Sequence, residues 1–322
     1  MPDLVSLGEI RDAAGRLDGV TVHTPLVPFP RQFPGLLIKP ESLQPTGSFK
    51  LRGAYATISG LAADVRRRGV VAHSSGNHGH AVAYAAALLG VPAVVVVPDT
   101  APSIKTDAIA AHGAQLVTVA PSMAARVAAT RDLVDQHGYA EIPPFDDRRV
   151  IAGQGTIGLE IAEDWNDRPE PGLVVVPVSG GGLISGIAAA IRALRPDTRI
   201  VGVEPELAAD ARDSFRQGRR VSWAASGTGR TVADALRVEQ VGELPFAHIR
   251  ELVTDIVTVT EDEMLEAVRR LALRARLIAE PGGAAAVAAC LFHAEALPAA
   301  ATRVAVLSGG NIDPALLARV LG

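Results

Sequence analysis

From about residue 70 onward, short runs of apolar, β-branched residues alternate with alanine-rich stretches that have helical spacing. The strand-like runs include "GVVAHSS" (69–75), "VPAVVVVP" (91–98), "AQLVTVA" (114–120), "GLVVVPV" (172–178) and "RVAVLSGG" (303–310). Near-continuous apolar strands are typical of sheets covered on both faces, and alternation with helices is typical of parallel β-α-β units. The sequence therefore predicts an α/β fold with two open, mostly parallel twisted sheets and helices on both faces.

The loop-like stretch "PPFDDRR" (143–149) is where we expect the chain to leave one substructure for another. The predicted organisation is a large domain made of residues 1–68 and 147–322, and a small domain made of residues 69–146.

Composition excludes several classes of protein. Of the 322 residues, 48% are hydrophobic but only 4% are aromatic, so the core must be built from Ala, Val, Leu and Ile. A net charge of -4 gives no electrostatic footprint for nucleic acid or an anionic membrane. The single cysteine, Cys290, forbids a disulfide within the chain and is interpreted as a small core residue. With no signal peptide and no membrane-length apolar run, we expect a soluble, cytoplasmic protein.

Lys50 stands in an unusual setting, "SLQPTGSFKLRGA" (42–54). In one reading Ser48 caps a helix and Lys50 lies in its solvated first turn. A cation is poorly placed there, because the positive end of the helix dipole disfavours it. In the other reading, the same field and partial desolvation lower the pKa of the amine and make it a Schiff-base former. This motif alone does not decide between the two.

A second loop, "VSGGGLISG" (178–186), follows the most apolar strand and opens a helix. Three successive glycines let backbone N–H groups converge, and a helix N-terminus adds positive potential, so the loop indicates a phosphate cradle. A flexible strand-to-helix turn is the alternative, although three adjacent glycines exceed what a turn needs.

Two further loops carry polar groups at predicted strand ends. In "SSGNHGHA" (74–81), hydroxyl and amide groups stand beside backbone donors and suit a carboxylate. The histidines at 73, 78 and 80 have no helical i, i+4 spacing and no nearby carboxylate, which argues against a metal site. The loop "LSGGNID" (307–313) places Ser308 at the carboxyl end of the last strand.

Taken together and in this order, six motifs resemble the fold-type II pyridoxal-phosphate (PLP) enzymes, and among these the threonine/serine dehydratase and serine racemase branch. The motifs are "PTGSFKLRGA", "SSGNHGHAVAYAA", "AGQGTIGLEI", "SGGGLISG", "GVEPELAADA" and "LSGGN". The resemblance covers roughly residues 7 to 320 and implies a tryptophan-synthase-β-like fold, a large PLP-binding domain, a small substrate-closing domain and a homodimer. One departure is Ser179, which stands where the family's phosphate loop has the first of four glycines.

The resemblance also implies roles for individual residues. Lys50 would form the Schiff base with PLP and later act as the base at Cα, with Phe49 shielding the cofactor. Asn77 would bind the 3-hydroxyl of PLP, and Ser308 would meet its pyridine nitrogen. The phosphate would be held by Ser179, Gly180, Gly181, Gly182 and Leu183. The substrate carboxylate would be held by Ser74, Ser75, Gly76, Asn77 and His78.

Two sites keep alternatives open. By resemblance Glu204 and Asp210, with the Ala208 carbonyl between them, would bind Mg²⁺ or Ca²⁺; on the residues alone they are acids at a helix N-terminus. Glu280, before the helix start "PGG", is either a contact at the cofactor's edge or a cap.

The function implied is PLP-dependent α,β-elimination of water from L-threonine or L-serine, giving a 2-oxo acid and ammonia. A dehydratase for another β-hydroxy amino acid, such as 3-hydroxyaspartate, is an alternative. A serine or aspartate racemase is another, with Ser75 as the acid on the face opposite Lys50. A non-enzymatic binding protein would have no use for Lys50 together with a phosphate loop. The expected partner is a small amino acid, with no nucleic acid or membrane.

Overall fold

The computed structural model describes residues 3–30, 33–165 and 172–322. In these ranges the strands are β1 (Val27–Pro28), β2 (Leu36–Pro40), β3 (Val70–His73), β4 (Ala93–Pro98), β5 (Gln115–Val119), β6 (Ala140–Glu141), β7 (Gly172–Pro177), β8 (Arg199–Pro205), β9 (Asp255–Val259) and β10 (Thr302–Leu307). The helices are α1 (Leu7–Leu17), α2 (Lys50–Ser59), α3 (Ala63–Arg68), α4 (Asn77–Leu89), α5 (Ser103–Ala110), α6 (Met123–His137), α7 (Arg148–Trp165), α8 (Gly182–Leu194), α9 (Asp210–Gln217), α10 (Ala225–Thr228), α11 (Glu243–Leu252), α12 (Glu261–Arg270), α13 (Pro281–Phe292) and α14 (Pro314–Leu321). Short 3₁₀ turns cover Glu41–Leu43 and Asp234–Leu236, and a π-helical turn covers Leu271–Ala275.

The strands form two separate sheets, as the sequence predicts. One has six strands in the order β1-β2-β10-β7-β8-β9, and the other has four in the order β5-β4-β3-β6. Every pairing is parallel except that of β1 with β2. The prediction of an α/β fold with two mostly parallel sheets is confirmed.

Alternate side chains of the central strands serve two different cores. Leu173 and Val175 of β7 point into the core beneath α12 and α13, whereas Val174 and Val176 point into the core that contains α7 and α8. All four side chains are completely buried. This two-sided burial explains why the strand sequences are apolar without alternation.

Helix α2, which carries Lys50 at its start, packs between α7 and α4, and its apolar face joins the core of the four-stranded sheet. Its Leu51, Ala54 and Ile58 lie in one apolar cluster with Val70 and Ala72 of β3. The packing of residues 50–59 therefore crosses the predicted boundary at residues 68 and 69, although the strands of the four-stranded sheet all lie between residues 70 and 141.

Four loops that leave strands of the six-stranded sheet lie along one edge of it. They follow the carboxyl ends of β2, β10, β7 and β8, which are neighbours in that order. In open parallel sheets, ligands bind beyond this edge. Among the described residues, no helix has the length and apolarity needed to traverse a lipid bilayer.

Candidate active site

Lys50 is the first residue of α2 and lies in a partly buried position. Its Nζ donates a hydrogen bond to the Pro144 carbonyl at 2.8 Å and lies 5.1 Å from the centre of the Phe49 ring. Burial lowers the pKa of the Lys50 amine to about 8, although the charge of Glu280 opposes the shift. The helix has no side-chain cap: Phe49 occupies the N-cap position, and the buried Ser48 hydroxyl has no hydrogen-bond partner among the described residues. The alternative of a Ser48 cap before a solvated lysine is therefore wrong.

The other two lysines of the sequence form ion pairs with carboxylates. Lys39 is completely buried and pairs with Glu160, and Lys105 pairs with Asp234 at the surface. Within the described ranges, Lys50 is thus the lysine whose amine has a neutral carbonyl, and no carboxylate, as its hydrogen-bond partner.

Asn77, the first residue of α4, lies in a chain of side-chain amides and a carboxyl group. Its Nδ2 donates to Glu280 Oε1 at 2.6 Å, and its Oδ1 accepts from Asn311 Nδ2 at 2.7 Å. Glu280 precedes α13, and its side chain makes no capping hydrogen bond to that helix. Burial raises the pKa of Glu280 to about 8, with a further contribution from Asp234, whereas the Asn77 hydrogen bond opposes the shift. The structure therefore turns Glu280 toward Asn77, which excludes the reading of this side chain as a cap.

The glycine loop between β7 and α8 is packed tightly on residues that the sequence did not single out. A Cβ added to Gly180 would overlap the ring of Phe145, and one added to Gly182 would lie 3.0 Å from Phe145 Cα. Gly181 has a φ of +88° and is the N-cap of α8. Leu183, in the first turn, is 4% exposed. Backbone N–H groups at a helix start with no side chain in the way fit a phosphate group.

Ser179 has a φ of +55°, in the left-handed region that favours glycine. Its hydroxyl donates a long hydrogen bond to the Ala235 carbonyl at 3.5 Å. A glycine at this position would adopt the same backbone without the Cβ penalty. Ser179 thus replaces the family's first glycine at a position whose left-handed backbone conformation explains why the family has a glycine there.

The Ser74–Gly76 segment connects β3 to α4 and is half-buried. The Gly76 N–H donates to Ser74 Oγ at 3.2 Å, and Ser75 lies between them. His78 turns its ring away from this loop: Nε2 lies 2.7 Å from the Ile142 carbonyl and the residue is 5% exposed. Burial, with the charge of Lys50, lowers the pKa of His78 to about 3, so the ring is neutral. A contact from His78 to a substrate would therefore use its backbone.

Ser308 joins the same site from the end of β10. It is 6% exposed, its carbonyl accepts from the Phe49 N–H at 3.0 Å, and its own N–H donates to the Gly283 carbonyl at 3.3 Å. A single antiparallel bridge joins Ser48 to Gly309. The loop after β10 is thereby attached directly to the segment that carries Lys50.

Glu204, near the end of β8, and Asp210, the first residue of α9, carry buried carboxyl groups that interact electrostatically. Both residues and Ala208 are completely buried. Glu204 Oε2 accepts from the Arg212 N–H at 2.8 Å. Among the described residues, its Oε1 and both oxygens of Asp210 have no partner at good hydrogen-bond geometry, although the Val241 N–H lies close enough to Asp210 to oppose the rise in its pKa. Burial, with the charge of Asp210, raises the pKa of Glu204 well above its usual range, and burial raises the pKa of Asp210 to about 7.

Unpartnered buried carboxylate oxygens are costly, and they suit a hard divalent cation such as Mg²⁺ or Ca²⁺. The described residues contain no group of three or more His, Cys, Asp or Glu side chains placed to hold a metal. A cation between Glu204 and Asp210 would therefore take its remaining ligands from carbonyl oxygen, such as that of Ala208, and from water.

The remaining singled-out residues lie in ordinary structural settings. His73 is 3.6 Å from Glu141, and His80 Nε2 is 3.1 Å from His112 Nε2. Cys290 is 3% exposed, and burial raises the pKa of its thiol to about 12, as expected for a core residue.

Pro144, Phe145 and Asn311 are the site residues that sequence reasoning missed. The first two belong to the stretch 143–149, interpreted only as a connection, and Asn311 belongs to the quoted motif "LSGGN" without a role. For Asn311, a polar side chain in a loop that also contains two motif glycines is the signal that could have drawn attention to it. No comparable local signal marks Pro144 and Phe145.

Comparison with known proteins places this site in a family. A family model described as "Pyridoxal-phosphate dependent enzyme" matches residues 18–309. L-threo-3-hydroxyaspartate ammonia-lyase from Saccharomyces cerevisiae is 39% identical over 310 residues, covering 95% of this chain and 93% of the relative. Serine racemase from Dictyostelium discoideum is 36% identical over 322 residues, covering 98% of each chain. The crystal structure of a T.th. threonine deaminase superposes with a TM-score of 0.89 at 44% identity, covering 96% of this chain and 99% of the other. The chain belongs to the pyridoxal-phosphate dependent enzymes of fold type II.

Proposed function

We propose that this protein is an ammonia-lyase that eliminates water from a β-hydroxy amino acid and releases a 2-oxo acid and ammonia. The observation that carries the proposal is the position of the Lys50 amine, which has a lowered pKa and is hydrogen-bonded to Pro144, the neighbour of the Phe145 that packs on the glycine loop. The amine also feels the charge of Glu280, the hydrogen-bond partner of Asn77. The names of the similar proteins, an ammonia-lyase and a deaminase among them, support the same reaction class.

Bound PLP supplies the electron-withdrawing ring that makes the Cα proton of an amino acid acidic. We assign the phosphate to the N–H groups of residues 179–183 and the ring nitrogen to the Ser308 hydroxyl. A neutral hydroxyl leaves that nitrogen unprotonated, which suits elimination, because the departing β-hydroxyl takes up the electron pair.

Lys50 is the proposed base at Cα. A pKa of about 8 in place of 10.5 gives roughly 300-fold more neutral amine near neutral pH than an exposed lysine has. The Ser74–Asn77 segment and the first backbone N–H groups of α4 would hold the substrate carboxylate. We further propose that residues 69–146 form the domain that closes over the substrate, and that the chain forms a homodimer.

We propose Mg²⁺ or Ca²⁺ as a structural ligand of Glu204 and Asp210. Three buried carboxylate oxygens that find no well-aligned hydrogen-bond donor in the part of the chain that the structure describes support it. A divalent cation would neutralise both carboxylates in a segment that follows β8, next to the phosphate-loop strand β7.

A racemase is the second candidate, because a serine racemase of similar length matches 98% of the chain. It requires a proton donor on the face of Cα opposite Lys50, and Ser75 is our candidate. The unassisted pKa of a serine hydroxyl lies far from neutrality, so reprotonation by Ser75 is intrinsically harder than loss of water. We therefore expect elimination to dominate.

The experiment that tests the proposal starts from the purified protein with PLP. Borohydride should bleach its visible absorption, and peptide mapping should find the pyridoxyl group on Lys50, with neither Lys39 nor Lys105 labelled. The Lys105→Ala variant is the matched control and should still be labelled. Label on another lysine, or no label, would refute the assignment.

Incubation with L-threonine, L-serine and L-threo-3-hydroxyaspartate should then release 2-oxo acid from at least one of them. Chiral chromatography of the same mixtures measures racemisation. D-amino acid formed faster than oxo acid would replace the lyase by the racemase.

A further inference from the structure

Three successive side chains link the loop after β10 to the proposed cofactor site. Asn311 Nδ2 donates to the Thr46 carbonyl at 2.9 Å and to Asn77 Oδ1 at 2.7 Å, and Asn77 Nδ2 donates to Glu280 at 2.6 Å. Asn311 touches neither Lys50 nor the glycine loop in any of these contacts. It is exposed, whereas Asn77 is half-buried.

The backbone carbonyl of Thr46 fixes the direction of the whole chain of hydrogen bonds. A carbonyl oxygen can only accept, so the end of the Asn311 amide that faces it must be the NH₂ group. The second hydrogen of that NH₂ group points to Asn77, so the atom of Asn77 that receives it must be Oδ1. The Asn77 NH₂ group is consequently left facing Glu280 and the cofactor side.

The backbone around Asn311 is built to admit its amide. Gly47, in the motif that carries Lys50, has a φ of +71°, and a Cβ there would overlap Asn311 Oδ1. The Gly310 N–H donates to the Gly47 carbonyl at 2.8 Å, which holds the two loops together beside the amide. Any side chain at position 47 would displace Asn311 from Thr46.

We propose that Asn311 is a positioning residue that holds the Asn77 amide with its NH₂ group toward PLP. This inference rests on the proposed function, because it concerns the donor that Asn77 presents to the oxygen on the cofactor ring. Without Asn311, the Asn77 amide keeps only its contact with Glu280. A protonated carboxyl group at Glu280 can donate to the amide oxygen as well as accept from the NH₂ group, so it does not fix the orientation of the amide. The carbonyl oxygen of Asn77 can then turn toward the ring oxygen, and an attraction becomes a repulsion.

The experiment is a PLP titration of apoenzyme made from wild type, Asn311→Ala, Asn311→Asp and the surface control Gln136→Ala, with folding checked by circular dichroism. Asn311→Ala should weaken PLP binding by about threefold to tenfold, as expected for a lost hydrogen bond. Asn311→Asp keeps the shape but offers only acceptors, so it forces the Asn77 NH₂ group toward position 311. It should weaken PLP binding at least tenfold more than Asn311→Ala does.

This order separates positioning from packing. If Asn311 only fills space, the isosteric Asn311→Asp should bind PLP nearly as well as wild type, and Asn311→Ala should bind it more weakly. That result overturns the inference, and so do equal PLP affinities of the two variants. Repeating the titration in 1 M salt screens the added negative charge, while the reversed amide and its effect remain.

A second route uses Gly47→Ala, whose Cβ should displace the Asn311 amide. Adding Asn311→Ala to Gly47→Ala should then cause no further loss of PLP affinity, because both changes remove the same hydrogen bond. Additive losses contradict the inference. If wild type itself binds no PLP, the proposed function fails instead, so the two failures are distinguishable.

Discussion

In metal-free protein, Asp210 should make the folded state less stable as the pH rises toward neutrality. The pKa of a free aspartic acid is 3.8, and burial raises that of Asp210 to about 7. Between these values the unfolded chain loses a proton that the folded protein keeps, so the folded state loses stability with rising pH. The full penalty, reached above pH 7, is about 4 kcal/mol, since each unit of pKa difference corresponds to about 1.36 kcal/mol.

The measurement is urea unfolding, followed by tryptophan fluorescence at pH 5 and pH 8 in metal-free buffer, of wild type and Asp210→Asn. Buried histidines such as His78 have lowered pKa values, and their titration opposes this trend below pH 6.5. The quantity compared is therefore the difference in unfolding free energy between the two proteins at each pH. Asn cannot ionise, and removing the Asp210 charge also lowers the raised pKa of Glu204, so both groups change the stability in the same direction. Asp210→Asn should therefore gain on the order of 3 kcal/mol relative to wild type between pH 5 and pH 8. The exposed Asp262→Asn, at the start of α12, is the control and should show no such change.

Adding Mg²⁺ or Ca²⁺ should reverse the wild-type penalty, because ion binding to the ionised pair stabilises the folded state. The gain should be larger at pH 8 than at pH 5 and absent in Asp210→Asn. Two results together would refute the reasoning. The stability of wild type would not change with chelator or divalent cation, and the difference in stability between wild type and Asp210→Asn would not change with pH.

Three further predictions concern the loops around the site. Ser179→Gly should be as stable as wild type or up to about 1 kcal/mol more stable, because glycine adopts the left-handed φ of this position without strain. Ser179→Ala should show no such gain in stability, and thermal unfolding compares the two variants. Gly283→Ala should cost about 1–3 kcal/mol or more by urea unfolding, because its Cβ would overlap the Gly309 carbonyl; wild-type stability would contradict the packing described here. Ser75→Ala should remove any D-amino acid product while oxo-acid release from the L-isomer survives, weakened; chiral chromatography decides, and persistent racemisation would exclude Ser75 as the acid.

The fold was predictable because its main determinant is local in the sequence. A strand such as β7, apolar at every position from 173 to 176, can be buried only if both faces of its sheet are covered. The capping box of Thr260 and Glu263 at the start of α12 is also local, because a threonine followed three residues later by a glutamate can be read directly from the sequence. The packing of α2 between α7 and α4 was not predictable, because nothing within residues 50–59 indicates which neighbouring helices its buried face will meet.

The site was predictable to the extent that its residues follow strand ends. The loops after β3, β7 and β10 were each marked by small or polar residues after an apolar run, and parallel topology gathers such loops on ligand-binding edges. Pro144 and Phe145 were not predictable in this way, because their positions depend on contacts with Lys50, 94 residues away, and with the glycine loop. The reading of Ser48 as a helix cap failed for a similar reason: a bridge to the distant Gly309 holds Ser48, and α2 begins only at Lys50, with Phe49 in the N-cap position.

Gly47 shows why a motif can be recognised before it is understood. Within the sequence it reads as a turn residue before Lys50, and a turn would be reason enough for a glycine. In the structure its missing side chain makes room for Asn311, far along the chain, and its carbonyl receives the N–H of Gly310. The glycine is therefore required by a contact between two loops that each contribute to the cofactor site. The position of each loop depends on the other. The sequence around Gly47 therefore does not indicate that Asn311 is the residue that requires a glycine at this position.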